Sequence, residues 1–194
     1  MRVALKRFLT PATLVAVALL SAGGRADEFK PEEGYESLFN GKDLSGWKIG
    51  KSGKDELAGK TQGGKGRFEV VDGVIVANEG KGILDLYTTK DFNKDFHLKL
   101  EFRAAPRADS GVYIRGHQLQ VRDYPTVGPY KNLKDFKAGD WNDLEIIVKG
   151  TSALCKCNGE VIEKALKVPS KGGIGLQAEA GKFEFRRVRV KELP

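Results

Sequence analysis

Residues 96–103 read Phe96-His97-Leu98-Lys99-Leu100-Glu101-Phe102-Arg103. Phe96, Leu98, Leu100 and Phe102 hold one phase; His97, Lys99, Glu101 and Arg103 hold the other. Side chains alternate faces along a strand, so this strict period of two predicts a strand with one side on a core and the other side polar. Shorter versions of the pattern follow. Val112 and Ile114 interleave with Gly111, Tyr113 and Arg115, and Leu119 and Val121 with Gln118, Gln120 and Arg122. Leu144, Ile146 and Val148 interleave with Asp143, Glu145 and Ile147. Phe183 and Phe185 share one phase but Val188 and Val190 the other, which predicts a β-bulge near Arg186-Arg187.

Between these runs stand turn pairs: Asn40-Gly41, Asp72-Gly73, Glu79-Gly80, Asn158-Gly159 and Gly172-Gly173. Short alternating runs punctuated in this way argue for an all-β sandwich or barrel. Asp72-Gly73 and Asn158-Gly159 predict two-residue hairpins joining 68–71 to 74–77 and 154–157 to 160–163. No segment carries a helical period for more than about two turns. Residues 51–66 are rich in Gly and Lys and are expected as a mobile loop. Residues 124–140 contain two prolines and no clean period, and a loop of that length in a compact domain is often functional.

The chain has 194 residues, 33 Lys and Arg against 26 Asp and Glu, and a formal charge of +7. Four of the basic residues, Arg2, Lys6, Arg7 and Arg25, precede Asp27 with no acid among them. Without them the excess is small, which argues against a nucleic-acid partner with its clustered basic face. The same segment has the layout of a secretory leader. A basic start precedes residues 8–20, which are apolar apart from Thr10, Pro11 and Thr13, and small Gly24 and Ala26 precede the expected cut. The apolar run is shorter than the roughly 20 residues a span needs. The sequence therefore predicts a leader over 1–26 and one domain over 27–194, exported to the periplasm or secreted, with no membrane span after cleavage. Cys155 and Cys157 lie two apart in a strand, about 6.5–7 Å between Cα atoms, at or beyond disulfide reach. They are expected as small buried hydrophobes.

Candidate chemistry lies on the polar phases. Glu101 with Arg103, Tyr113 with Arg115, and Gln118 with Gln120 are expected to line a sheet surface able to bind a polar ligand. A solvated outer face explains the same pattern. Asp109-Ser110-Gly111 lacks the strand-to-helix setting of a nucleophilic serine and is expected as a turn before a strand. Gly63-Gly64-Lys65-Gly66 is too short for a phosphate loop and reads as solvated. Glu101, Asp123 and Glu145 are carboxylates of the kind glycoside cleavage needs. Trp47 and Trp141 suit either a core anchor or a sugar-stacking platform.

Leu38-Phe39-Asn40-Gly41-Lys42-Asp43-Leu44-Ser45-Gly46-Trp47 resembles the opening signature of the 3-keto-disaccharide hydrolase domain family, also described as a 3-keto-glucoside lyase and 3-keto-2-hydroxyglucal hydratase. The likeness continues through Phe68-Glu69-Val70-Val71-Asp72-Gly73-Val74-Ile75, the 96–103 strand with Asp95 before it, and Asp109-Ser110-Gly111-Val112-Tyr113-Ile114-Arg115-Gly116. It runs on through Asp140-Trp141-Asn142, Glu145-Ile146, Asn158-Gly159, Gly173-Ile174-Gly175-Leu176-Gln177, and Phe185-Arg186 to Leu193, covering about 34–193. The resemblance implies a concanavalin A-like jelly-roll β-sandwich of two antiparallel sheets.

It also implies an exported enzyme acting on a carbohydrate substrate, a 3-keto-glucoside or oligosaccharide. A ketone at C3 acidifies the C2 proton; a base removes it, the C1 substituent departs, and water adds to the 2-hydroxyglucal. Such a site needs a base, an enolate stabiliser and an acid. The resemblance places Arg115 as the oxyanion or substrate-positioning group, with Glu101, Asp123 and His117 as base or acid candidates. Tyr113, Gln118, Gln120, Tyr130 and Trp141 are the expected substrate-binding groups, and a divalent metal is compatible with the chemistry. Two positions and one loop depart from the family pattern, the loop being Gly128-Pro129-Tyr130, with one residue fewer than the family's Gly-x-x-Tyr. Gln118 stands where the family's Glu-x-Gln-x-x-Asp strand has its Glu, and Asp109 where it has Asn before Ser-Gly. Gln118 cannot ionise and so can only hydrogen-bond. A non-catalytic carbohydrate-binding module on the same fold, and a partner-binding envelope protein, are the other readings.

Overall fold

The computed structural model describes residues 29–54 and 57–194; the predicted leader, 1–26, lies outside them. The strands are β1 (Glu36–Ser37), β2 (Trp47–Ile49), β3 (Gln62–Gly63), β4 (Phe68–Val71), β5 (Val74–Ala77), β6 (Leu84–Thr88) and β7 (Phe96–Ala104). They continue as β8 (Asp109–Ile114), β9 (His117–Arg122), β10 (Asn142–Lys149), β11 (Ser152–Cys157), β12 (Glu160–Lys167), β13 (Ile174–Ala178) and β14 (Phe183–Glu192). Among the described residues the one helix is the single turn Tyr124–Val127.

A nine-stranded sheet follows the order β12-β11-β10-β7-β14-β5-β4-β3, with β1 paired on β14; a five-stranded sheet follows β2-β6-β13-β8-β9. Every pairing is antiparallel. The two sheets pack face to face as the expected jelly-roll sandwich. Phe96, Leu98, Leu100 and Phe102 of β7 meet Leu86, Val112, Ile114, Val121 and Leu176 of the smaller sheet in one core. Burying these side chains is the main driving force of the fold, at about 25 cal/mol per Å² of apolar surface.

Both two-residue hairpins form as expected. Asp72 and Gly73 take φ of 48° and 78°, and Asn158 and Gly159 48° and 85°. Positive φ at both central residues is what a type I′ turn demands, and Asn, Asp and Gly tolerate it best. The register of β14 on β7 shifts between Arg186 and Arg189, which is the predicted bulge. Cys155 and Cys157 are free and buried on the inner face, and burial pushes both thiols up to about 12. Trp47 is fully buried, and its indole N–H donates to Leu38 O at 2.8 Å, so it is a core anchor.

Three local expectations are corrected. Ser110 does not sit in a turn: it lies inside β8, buried, with its hydroxyl donating to Gln177 O at 2.7 Å. The 51–66 segment is not all loop, because Gln62–Gly63 pairs with β4 and Leu57 is buried. The 124–140 connection begins with the helical turn, and its Tyr124 is fully buried.

Candidate functional site

Inner faces that share one core leave the two outer faces pointing in opposite directions. β7 belongs to the nine-stranded sheet, whereas β8 and β9 belong to the five-stranded one. The expectation of a single polar surface carrying Glu101, Arg103, Tyr113, Arg115, Gln118 and Gln120 is therefore corrected: these residues divide among two outer faces and a buried turn.

On the nine-stranded sheet, Glu101 is clamped by Arg186 and Arg187 at 2.6 and 2.7 Å. The bulge is the cause, since it brings two consecutive arginines to the same carboxylate. Trp141 lies on this side too, with the guanidinium groups of Arg186 and Arg103 at 3.9 and 4.8 Å from its ring centroid. Its ring is thus occupied by cation–π contacts. A hollow here is lined by Lys99, Asp143, Glu145, Gly159 and Arg189. Its principal charges are already compensated, Arg189 by Glu32 and Glu145 by Lys156.

Arg115 is on neither face. β8 ends at Ile114, and Arg115 (φ 53°) and Gly116 (φ 88°) form the turn into β9. The Arg115 side chain is 1% exposed and donates to Lys94 O, Gly150 O and Pro169 O at 2.6, 2.7 and 3.2 Å, while its guanidinium lies over Phe96. Asp123 is also buried, and its carboxylate accepts the Arg107 backbone N–H at 2.9 Å. Tyr130 packs edge-on to Tyr124 and donates to Glu163 at 2.6 Å, beside the edge of the larger sheet. His117 is exposed at the start of β9.

The outer face of the five-stranded sheet does converge. Register places Lys48, Tyr87, Gly175, Tyr113 and Gln118 in one row across β2, β6, β13, β8 and β9. The next row contains Asp85 and Gln177, then Gly111 and Gln120. The glycines make the floor. A Cβ on Gly175 would fall 2.8 Å from the Tyr87 ring, and one on Gly111 2.5 Å from Gln118 Nε2. Both side chains therefore lie flat across the sheet. Gly175→Ala should destabilise the protein by about 1–3 kcal/mol through overpacking, read as a lower urea midpoint; an unchanged midpoint would show that the Tyr87 ring moves freely.

Polar contacts link this face. Gln118 Nε2 donates to Gln177 Oε1 at 2.7 Å, and Gln177 Nε2 donates to the Tyr113 hydroxyl at 2.9 Å. Tyr113 and Gln177 in turn hydrogen-bond to Asp85. Asp85 Oδ1 and Gln120 Oε1 are buried atoms with no partner. Burial raises the Asp85 carboxyl above its ordinary value, against the opposing effect of those two hydrogen bonds. It also pushes the Tyr113 hydroxyl up to about 12. Tyr87 and Tyr113 lie 5.2 Å apart between centroids. Just beyond β13, burial, with Asp109 and Asp85 nearby, raises the Glu179 carboxyl. Of the expected site residues this face brings together Tyr113, Gln118 and Gln120. Asp85, Tyr87, Gln177, Glu179 and Lys48 join them without having been anticipated. The signal for two of them is present in Leu84-Asp85-Leu86-Tyr87, where an acid and an aromatic alternate with leucines. Among the described residues no three His, Cys, Asp or Glu side chains are grouped to hold a metal ion.

Fold and face together define a jelly-roll domain that presents one hydrogen-bonding sheet surface around an ionisable carboxyl group. The chain belongs to the 3-keto-alpha-glucoside-1,2-lyase-like domain family, whose model matches residues 34–191. A Parabacteroides distasonis protein provisionally named a glycosyl hydrolase is similar, with 20% identity over 86% of this chain and 99% of its own, at a TM-score of 0.66. A second protein of that organism and description shares 18% identity over 82% and 99%, at 0.60. A Bacillus subtilis protein with a galectin-like fold shares 11% over 75% and 89%, at 0.50. No curated protein matches the chain. At these identities the solved structures speak for the fold.

Proposed function

We propose that this protein is an exported enzyme that cleaves 3-keto-glucosides by elimination between C1 and C2, followed by hydration of the 2-hydroxyglucal. The observation that carries the reading is Asp85. It is a carboxyl group with one unpartnered oxygen, set among the amides Gln118, Gln120 and Gln177 and the tyrosines Tyr87 and Tyr113. Family membership and the description of the Parabacteroides relatives support a carbohydrate substrate. In this reading Asp85 takes the C2 proton. The electron pair forms the C1–C2 double bond, and the C1–O bond breaks. Glu179, the second carboxyl with a raised proton affinity, protonates the departing oxygen. Gln118, Gln120 and Gln177 bind sugar hydroxyls, for which neutral amides suffice. Gln118 in place of the family's Glu thus leaves the base function to Asp85.

No helix among the described residues is long and apolar enough to cross a membrane. The leader over 1–26 completes the proposal, with export to the periplasm or beyond. Mass spectrometry of the exported protein should find Asp27 as its first residue; a retained leader would overturn that part.

The test of function is release of the leaving sugar from 3-keto-trehalose or of the aglycone from a 3-keto-β-glucoside, with and without added divalent cations. Release supports the enzyme. The second reading, a carbohydrate-binding module, is favoured by the amide at 118. It predicts saturable binding of unoxidised glucosides with no release from either keto substrate.

A further inference from the structure

We propose that Gln118 is the positioning residue of this site: its amide N–H fixes which way the buried Gln177 amide faces, and through Gln177 it aims the Tyr113 hydroxyl at Asp85. The catalytic meaning of this rests on the elimination reading above. A side-chain amide offers an acceptor oxygen on one side and two N–H donors on the other, so the partner of one end decides where the other end points. Gln118 Nε2 donates to Gln177 Oε1 at 2.7 Å. With its oxygen so engaged, Gln177 turns its Nε2 the other way, where it donates to the Tyr113 hydroxyl at 2.9 Å and to the Asp85 carboxyl. The Tyr113 oxygen accepts from Gln177, and its own proton goes to Asp85. Every bond in the series runs one way, from β9 through β13 and β8 to β6, and ends on the carboxyl group that the elimination needs as its base.

Two features of the fold make this direction firm. Gln177 is 2% exposed, so water does not replace the bond from Gln118. An inverted Gln177 amide would set N–H against N–H and carbonyl against carboxylate at buried atoms, which is costly. Gly111 is the second feature. Gln118 lies over it, with Nε2 2.5 Å and Cγ 2.8 Å from where a Cβ would stand, so a side chain at 111 would close the path from β9 to β13. Of the other groups around Asp85, Tyr87 is on its own strand, Tyr113 on β8 and Glu179 just beyond β13, while β2 brings Lys48 beside Tyr87. β9 brings the neutral amides of Gln118 and Gln120, and its Arg122 is paired with Asp109. Position 118 therefore acts on Asp85 through the direction of hydrogen bonds and not through charge. A Glu here, as in the family pattern, could only accept. Gln177 would then turn its N–H groups to that carboxylate and its oxygen to Tyr113 and Asp85, and ionised Asp85 would lose both donors. The amide at 118 thus supports ionised Asp85 against the penalty of burial.

The experiment is a double-variant cycle on the ligand-free protein. Carbon NMR follows the titration of the Asp85 carboxyl, assigned by its absence in Asp85→Asn, in the parent, Gln118→Met, Gln177→Met and the double variant. Each single variant should move the Asp85 titration to higher pH. The double variant should match Gln177→Met alone, because Gln118 acts only through Gln177. In turnover, kcat/KM on the acid limb, scaled to each protein's own plateau, should be about tenfold lower in Gln118→Met than in the parent. The plateau falls as well, since Gln118 also meets the substrate. An Asp85 titration that Gln118→Met leaves in place would overturn the assignment, and that comparison needs only a variant at a half-buried surface position. Shifts that simply add in the double variant would overturn it too. A titration that moves as stated, in a protein that releases nothing from either keto substrate, would defeat the elimination reading and leave the orientation of Gln177 by Gln118 standing.

Discussion

Asp85→Asn is expected to lower kcat/KM for a 3-keto-glucoside by about 10³-fold while leaving the protein as stable as the parent, or more so. The two halves have one cause. Burial disfavours the ionised carboxylate, and this outweighs the hydrogen bonds from Tyr113 and Gln177 that favour it. The folded protein therefore holds this proton to higher pH than the unfolded chain does. The stabilising difference is fully present below the ordinary carboxylate range and is lost as pH rises through the folded value. At neutral pH the ionised Asp85 is a cost that the fold tolerates. Asn keeps the shape and removes the charge, so its advantage in urea midpoint should grow from mild acid to neutral pH. The acid limb of the parent's kcat/KM profile should lie above the ordinary carboxylate range, because only ionised Asp85 can take the proton. A variant that keeps turnover near the parental rate would remove Asp85 from the mechanism, whatever its stability.

That prediction concerns a residue that strand periodicity did not single out, and the reason is physical. Period two reports which side chains face a core, and β7, β8, β9 and β10 were legible on that basis, as were two hairpins and the bulge in β14. It does not report which sheet a strand joins. Glu101 and Tyr113 both read as polar-face residues, yet strand order sends them to opposite sides of the sandwich. β6 is only five residues long, too short for its alternation to stand out before its partners are known. Gln177 was visible as part of a family motif, but its role depends on Gly111 lying beside it, so that Gln118 can fold over the glycine and reach it. Ser110 shows the same limit in a small way. Its neighbours Asp109 and Gly111 are turn-forming residues, but pairing with β9 holds all three in a strand.

Arg115→Met carries the largest expected loss of stability, about 3–5 kcal/mol, with little change in the chemistry of the molecules that remain folded. In sequence Arg115 continues the alternation of β8, which predicts a face shared with Tyr113. In the structure the strand stops one residue earlier, and the positive φ of Arg115 turns its side chain toward the other sheet. There it joins three carbonyls from separate segments: Lys94 before β7, Gly150 between β10 and β11, and Pro169 after β12. Asp95 supports the same junction by accepting the Gly150 N–H at 2.7 Å. Met has much of the apolar stem of Arg but no donors, so three carbonyls lose their partners at one buried point. Each hydrogen bond to a charged group is worth about 1.5–3 kcal/mol, and partial relaxation of the loops recovers some of the sum. For a domain of this size the midpoint of thermal unfolding should fall by roughly 10 °C. Lys in place of Arg should not restore it, because a single ammonium lacks the planar fork that reaches divergent carbonyls. A substrate-positioning arginine would behave in the opposite way, with an intact melting temperature and a collapsed kcat/KM. Measured together at a temperature where the variant is folded, the two quantities decide whether Arg115 fastens the sandwich or serves the reaction.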